Sequence, residues 1–158
     1  LPNETKYVVV PRVAPGGSVS SAELVFPGTL AWQKRLSIPK VQLTAAQPQL
    51  YEQQDPPAFV VEGSFMNSSA YLLRQVRVVI LLYGSGNKLI ASSQREESTV
   101  RPGERRAFKH LWPNISGQGV VRAVVLPETN VLDPENLQTV GGTGGGGLER
   151  PSTEPVYE

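Results

Sequence analysis

Gln75-Val76-Arg77-Val78-Val79-Ile80-Leu81-Leu82-Tyr83-Gly84-Ser85-Gly86-Asn87-Lys88-Leu89-Ile90-Ala91 is the stretch that decides the architecture. Val76, Val78, Ile80 and Leu82 share one parity and are all apolar, whereas the other parity mixes Gln75 and Arg77 with Val79, Leu81 and Tyr83. Successive side chains of a β-strand point to opposite faces, so this repeat of two predicts a central strand with one wholly apolar face. Gly84-Ser85-Gly86-Asn87 carries the chemistry of a tight reversal and predicts a hairpin into Leu89-Ile90-Ala91.

Working outward, Ala58 to Met66 reads as a second strand with Phe59, Val61 and Phe65 on one side and Gly63 between them as a bulge or close-packing point. Arg105 to Leu111 and the β-branched run Val120 to Leu126 predict two more. The one helix-tolerant stretch, Leu43 to Gln54, is broken by Pro48 and closed by Pro56-Pro57. Tyr7-Val8-Val9-Val10 and Glu23-Leu24-Val25-Phe26 are short strand formers bounded by Pro11 and Pro27. They either complete the chain's own sandwich or add to a partner's exposed strand edge. The expectation is an all-β, antiparallel β-sandwich in three parts: an extended, strand-forming arm over 1–45, a sandwich core over 46–126, and an acidic, Gly-rich flexible tail over 127–158. Residues 1–122 carry a net charge of +6 and residues 123–158 one of −5. The run from Val140 to Gly147 has the composition of a linker.

The chain of 158 residues fits one domain able to bury a sizeable core. It has no cysteine and one histidine, which excludes a thiolate nucleophile, a zinc ribbon and any multi-histidine metal site. No cofactor is expected. A net charge of +1 supplies no global attraction to nucleic acid or anionic lipid, so neither is expected as a partner. The most apolar run, Val76 to Tyr83, is far short of the ~20 residues of a membrane span. The sequence opens on Leu1 without a basic-then-apolar leader, and an upstream signal or anchor is expected to have been cleaved or to lie outside it. Asn3, Asn67 and Asn114 each begin an acceptor sequon for glycosylation, although Asn67 and Asn114 also suit turns.

No nucleophile elbow, phosphate-binding loop, zinc-binding helix or dinucleotide fingerprint is present. His110 would have to be the base of any triad, but no acidic residue stands near it in sequence, and it reads as a surface histidine. Glu96-Glu97 and Asp133-Pro134-Glu135 read as solvated loops rather than acid/base pairs or calcium ligands. Arg101, Arg105, Arg106 and Lys109, with Trp112 beside them, form the candidate interaction surface. They would serve as a docking site for an acidic segment, a polyanion site, or a charged edge strand that resists sheet-to-sheet aggregation.

Val61-x-Gly63-x-Phe65-x-Asn67-x-Ser69, then Ile80-Leu81-Leu82-Tyr83, Gly86, Leu89-Ile90, Pro102-Gly103-Glu104 and Phe108 resemble the FxLYD-type domains of prokaryotic envelope proteins. They are also similar to the bacterial domain that follows a zinc ribbon and a membrane helix, and more distantly to LEA14-like sandwiches. The resemblance runs over roughly residues 58 to 126, with Ile80 and Gly84 in place of the Phe and Asp of the name-giving motif. It implies an immunoglobulin-like sandwich, extracytoplasmic, without established enzyme activity. The functional expectation is therefore a non-catalytic structural or accessory subunit of an envelope, filament or membrane-associated assembly. Its partners would be other protein subunits or copies of itself. The alternative is a carbohydrate- or polyanion-binding module using Trp32, Trp112 or Tyr83 with Arg105 and Lys109.

Overall fold

A computed structural model describes residues 37–140 apart from 114, 116 and 118, together with the single positions 9, 21, 23, 25 and 28. Among the described residues the chain forms eight strands: β1 (Leu43–Ala45), β2 (Gln49–Gln54), β3 (Pro57–Asn67), β4 (Tyr71–Tyr83), β5 (Leu89–Val100), β6 (Arg105–Trp112), β7 (Arg122–Glu128) and β8 (Leu137–Thr139). They make two antiparallel sheets packed face to face, so the all-β sandwich is the observed architecture. In the first sheet β3 is central, with β6 along one side and β1 and β2 sharing the other. In the second β4 is central, with β5 along one side and β7 and β8 sharing the other.

The alternation that predicted β4 fixes what it buries. Val76, Val78, Ile80 and Leu82 meet Phe59, Val61, Phe65, Phe108 and Trp112 of the facing sheet in one dry core. Val79 and Leu81, of the opposite parity, are buried too, on the central strand of the sheet. Alternation breaks once. Leu73 and Val100 pair and both enter the core, although Val100 stands three residues after the inward Glu97. Thr99 lies between them with φ 55, in the left-handed region that a β-branched residue rarely adopts, and this turns the strand over.

Gly63 is a close-packing point. A Cβ there would stand 2.9 Å from the Phe108 ring, so a side chain would drive that ring out of the core. The β4–β5 reversal is a short 3₁₀ turn over Ser85–Asn87, with Gly86 and Asn87 at φ 64 and 59.

Leu43 to Gln54, divided at Pro48 as its sequence indicates, is two strands that both pair with β3. Other expectations need correction. The arm boundary at 45 and the tail boundary at 127 both fall inside the fold. β1 belongs to the first sheet, and β7, the 3₁₀ turn Pro134–Asn136 and β8 all pack on β4. Residues 1–36 other than 9, 21, 23, 25 and 28, and residues 141–158, lie outside the described residues, and with them the expected strands at Tyr7–Val10 apart from Val9 and at Glu23–Phe26 apart from Glu23 and Val25. Glu96 and Glu97 are strand residues of β5, with Glu97 turned inward, and Asp133 caps the 3₁₀ turn by accepting from the Glu135 N–H.

Asn136 explains how the chain beyond β7 stays in the sheet. β7 stops pairing at Arg77 and β8 begins at Leu73, leaving Gln75 between them. The Asn136 carboxamide takes the missing strand's place: Oδ1 accepts from Gln75 N at 2.7 Å while Nδ2 donates to Gln75 O at 3.3 Å and to Thr129 Oγ1 at 2.7 Å. Asn136→Ala leaves the part-buried Gln75 N–H without its partner and frees the 129–136 excursion. We expect a loss of about 2 kcal/mol, read by urea unfolding, with β8 amides losing hydrogen-exchange protection before β3 amides.

Candidate functional site: two unlike flanks of the sandwich

β5 and β6 lie on one side of the sandwich and β1, β2, β7 and β8 on the other, and the two sides are built differently. On the β5–β6 side, arginines from each sheet cap the exposed edge of the other. Arg106 of β6 donates to the β5 carbonyls of Ser98 at 2.9 Å and Thr99 at 3.2 Å, and Arg95 of β5 donates to the β6 carbonyl of Lys109 at 3.3 Å. Capped carbonyls cannot receive another chain's strand, so this flank is blunted.

Carboxylates hold the arginines in place. Arg106 pairs with Glu104 and, at 3.5 Å, with Glu97. Glu97 also lies 2.6 Å from Arg95. The Arg101 backbone N–H and then the Arg106 guanidinium hold the Glu104 carboxyl below its ordinary range. A carboxylate depressed in this way stabilises the fold above that range and loses its contribution as acid protonates it. For Arg106→Met we expect a modest loss, about 1 kcal/mol, because the pairs are partly solvated. The sharper effect is on association: light scattering should show the uncapped β5 edge aggregating at concentrations where the parent chain stays clear.

His110 sits in this seam rather than on the surface, which corrects the sequence reading. It is half-buried, its ring edge-on to Trp112 at 4.2 Å between centroids and 68° between planes. Burial first, and the positive Arg95 second, hold its imidazole below the ordinary value.

The candidate interaction surface does not form one face. Strand alternation puts Arg105 and Lys109 outward and turns Arg106 and Trp112 inward, while Arg101 is exposed in the β5–β6 loop. Lys109 Nζ donates to Gln53 Oε1 at 3.0 Å and stands 5.7 Å over the Tyr51 ring. Neither described aromatic offers a stacking platform for sugar: Trp112 is 9% exposed and packs in the core, and the Arg122 guanidinium covers Tyr83 at 4.1 Å. Trp32 lies outside the described residues, as do Asn3 and Asn114. Asn67 is fully buried with both amide hydrogens used, donating to Tyr71 O at 2.8 Å and Val100 O at 3.1 Å. A glycan on it has no room in the folded chain, and it is corrected from acceptor to structural residue.

The opposite flank carries no such caps among the described residues. Between β1 and β7 runs a groove of about 970 Å³. Its apolar lining includes Ile38, Val41, Leu43, Leu126, Val131 and Leu132, and Lys40 and Glu128 stand at it as charges. Ile38 and Leu132 are exposed. No described strand pairs with the second edge of β1 or β7.

The sequence missed Arg95, Asn136 and this groove. Ser93, Arg95 and Glu97 are in phase with the inward Ala91, which was the one available sign that charge enters the seam. Nothing in the sequence announced the groove, which exists only because β1 and β7, some 80 residues apart, come together. Among the described residues no group of three metal-ligating side chains occurs, and no helix is long and apolar enough to cross a membrane. No family model, curated protein or solved structure matches the chain.

Proposed function

We propose that this chain is a non-catalytic, extracytoplasmic structural or accessory subunit that associates with copies of itself, the groove between β1 and β7 receiving an extended segment from the arm of a second copy. One observation carries this reading: the β5–β6 flank has its strand edges capped by arginines, whereas the β1–β7 flank presents an apolar groove beside two strand edges on which no described strand pairs. Strand addition to such an edge draws affinity from backbone hydrogen bonds and selectivity from alternate side chains.

The chain carries its own donor. Glu23-Leu24-Val25-Phe26 is a short strand former with three consecutive apolar residues, and Val25 is 69% exposed in no strand. The non-catalytic part of the reading rests on His110, whose ring lies edge-on to Trp112 and under the influence of the Arg95 guanidinium, with no hydrogen bond to a carboxylate among the described residues. The extracytoplasmic part rests on the resemblance to FxLYD-type domains.

Complementation tests the pairing. One full-length variant carries Ile38→Glu with Leu132→Glu in the groove, another Leu24→Glu with Phe26→Glu in the arm. We expect the parent chain to gain mass with concentration in sedimentation, each variant alone to stay monomeric, and an equimolar mixture to pair, since each then supplies what the other lacks. A parent chain monomeric up to about 1 mM, or variants that associate as the parent does, would refute the proposal.

A further inference from the structure

The seam between β5 and β6 holds a feature that neither the association reading nor simple edge protection uses. It is a polar cluster on the His110 side of the core margin, drawn from several elements, in which Arg95 is the charge that acts on His110. From β5 come Arg95 and Glu97; from β6 come Arg106 and the Lys109 backbone carbonyl, while the Lys109 ammonium points outward to Gln53; from the β5–β6 loop comes Glu104. The core residues of β3 and β4 paired across from His110, Arg106, Glu97 and Arg95 are Val61, Phe65, Val76 and Val78, none of them ionisable. Two guanidinium groups therefore face two carboxylates while the imidazole is neutral, and the seam is balanced.

Protonating His110 breaks that balance with a third cation. The seam is also imperfectly satisfied when closed. Arg95 Nε is buried without a hydrogen-bond acceptor among the described residues, and Glu97 Oε1, although 2.6 Å from Arg95 Nη2, makes no aligned hydrogen bond. A buried donor left without an acceptor weighs against the closed form, so a small added charge can release it. The bond at risk is the longest of the three carbonyl caps, Arg95 to Lys109 O at 3.3 Å.

We infer that the β5–β6 flank is a pH-operated clasp: a proton on His110 repels the Arg95 guanidinium, lifts it from the Lys109 carbonyl, and uncaps the edge of β6 in mildly acidic solution. The direction follows from linkage. In the open form His110 is solvated and has ordinary affinity for a proton, whereas burial and Arg95 lower that affinity in the closed form. Protons therefore select the open form, with closure complete above the ordinary histidine range and lost as pH falls through it. The uncapped β6 edge would then offer a second site for strand addition, available in acid and withdrawn at neutrality.

A single histidine makes this testable in the intact chain. Its imidazole resonances are followed by NMR between pH 8 and 4.5, alongside hydrogen exchange at β6 and β4 amides corrected for intrinsic rates. We expect the imidazole to titrate below its ordinary value and Arg95→Gln to raise that midpoint. Exchange at β6 should quicken relative to β4 across the titration, a step that His110→Gln and His110→Asn both remove. Trp112 fluorescence in a Trp32→Phe background should be quenched with the same midpoint, because a charged imidazole lies against its ring. Titration at or above the ordinary value, no response to Arg95→Gln, or β6 protection unchanged between the two protonation states would each overturn the clasp.

Discussion

Asn67→Asp is expected to cost about 4 kcal/mol at neutral pH, a large share of the stability of a domain this size. Asn67 ends β3, is fully buried, and binds three segments at once. Nδ2 donates to Tyr71 O and Val100 O, and Oδ1 accepts from Ser69 N. Its own backbone joins the β5–β6 loop through Asn67 N to Glu104 O and Gly103 N to Asn67 O. A carboxylate is isosteric but has no hydrogens to give, so both carbonyls would be orphaned and a charge buried against them.

The substitution also carries a pH signature. Burial against two carbonyl oxygens raises the carboxyl's folded pKa above its unfolded value, so the protonated form is the better tolerated one. The variant should therefore be less unstable in acid and lose stability as pH rises through the carboxylate range. Asn67→Ala lacks the titrating group and should show the loss without this pH dependence. Urea unfolding at pH 4.5 and 7 distinguishes the two, and an Asn67→Asp variant within 1 kcal/mol of the parent at both would contradict the buried clamp.

Ile80→Ala is the second large effect. Ile80 is fully buried at the middle of β4, among the residues shared by both sheets. Removing its branched side chain loses transfer free energy and leaves a cavity that flanking strands, paired on both sides, cannot close. We expect about 3 to 4 kcal/mol in urea unfolding. Arg77→Ala, three residues earlier on the outward face with a partly exposed pair to Glu128 at 3.3 Å, should lie within about 0.5 kcal/mol of the parent. Equal losses at the two positions would contradict the side-chain alternation on which the fold rests.

These two substitutions differ in how visible their basis was. Ile80 could be placed from Val76, Val78 and Leu82 alone, because the repeat of two is a local property of strand geometry. Asn67 could not. In the sequence Asn67-Ser68-Ser69 reads equally as a turn and a glycosylation sequon, and its donors find acceptors four and thirty-three residues away. His110 failed for the same reason. Its sequence neighbours show Lys109 and no acid, whereas the group that governs it, Arg95, arrives from the opposite sheet.

Local covalent geometry, then, made the class of this protein readable from residues alone. Alternating Val, Ile and Leu, the Gly84–Asn87 reversal and the prolines at 48, 56 and 57 specify strands and turns whatever surrounds them. The absence of cysteine and the single histidine narrow the chemistry equally early. Which edges carry caps and which border a groove was decided only when the strands met. Arg95 and Arg106 become caps, Asn136 a substitute for a strand, and β1 with β7 a groove, through pairings between residues far apart in the chain. A linear pattern records which way a side chain points, but not what stands opposite it once two sheets close.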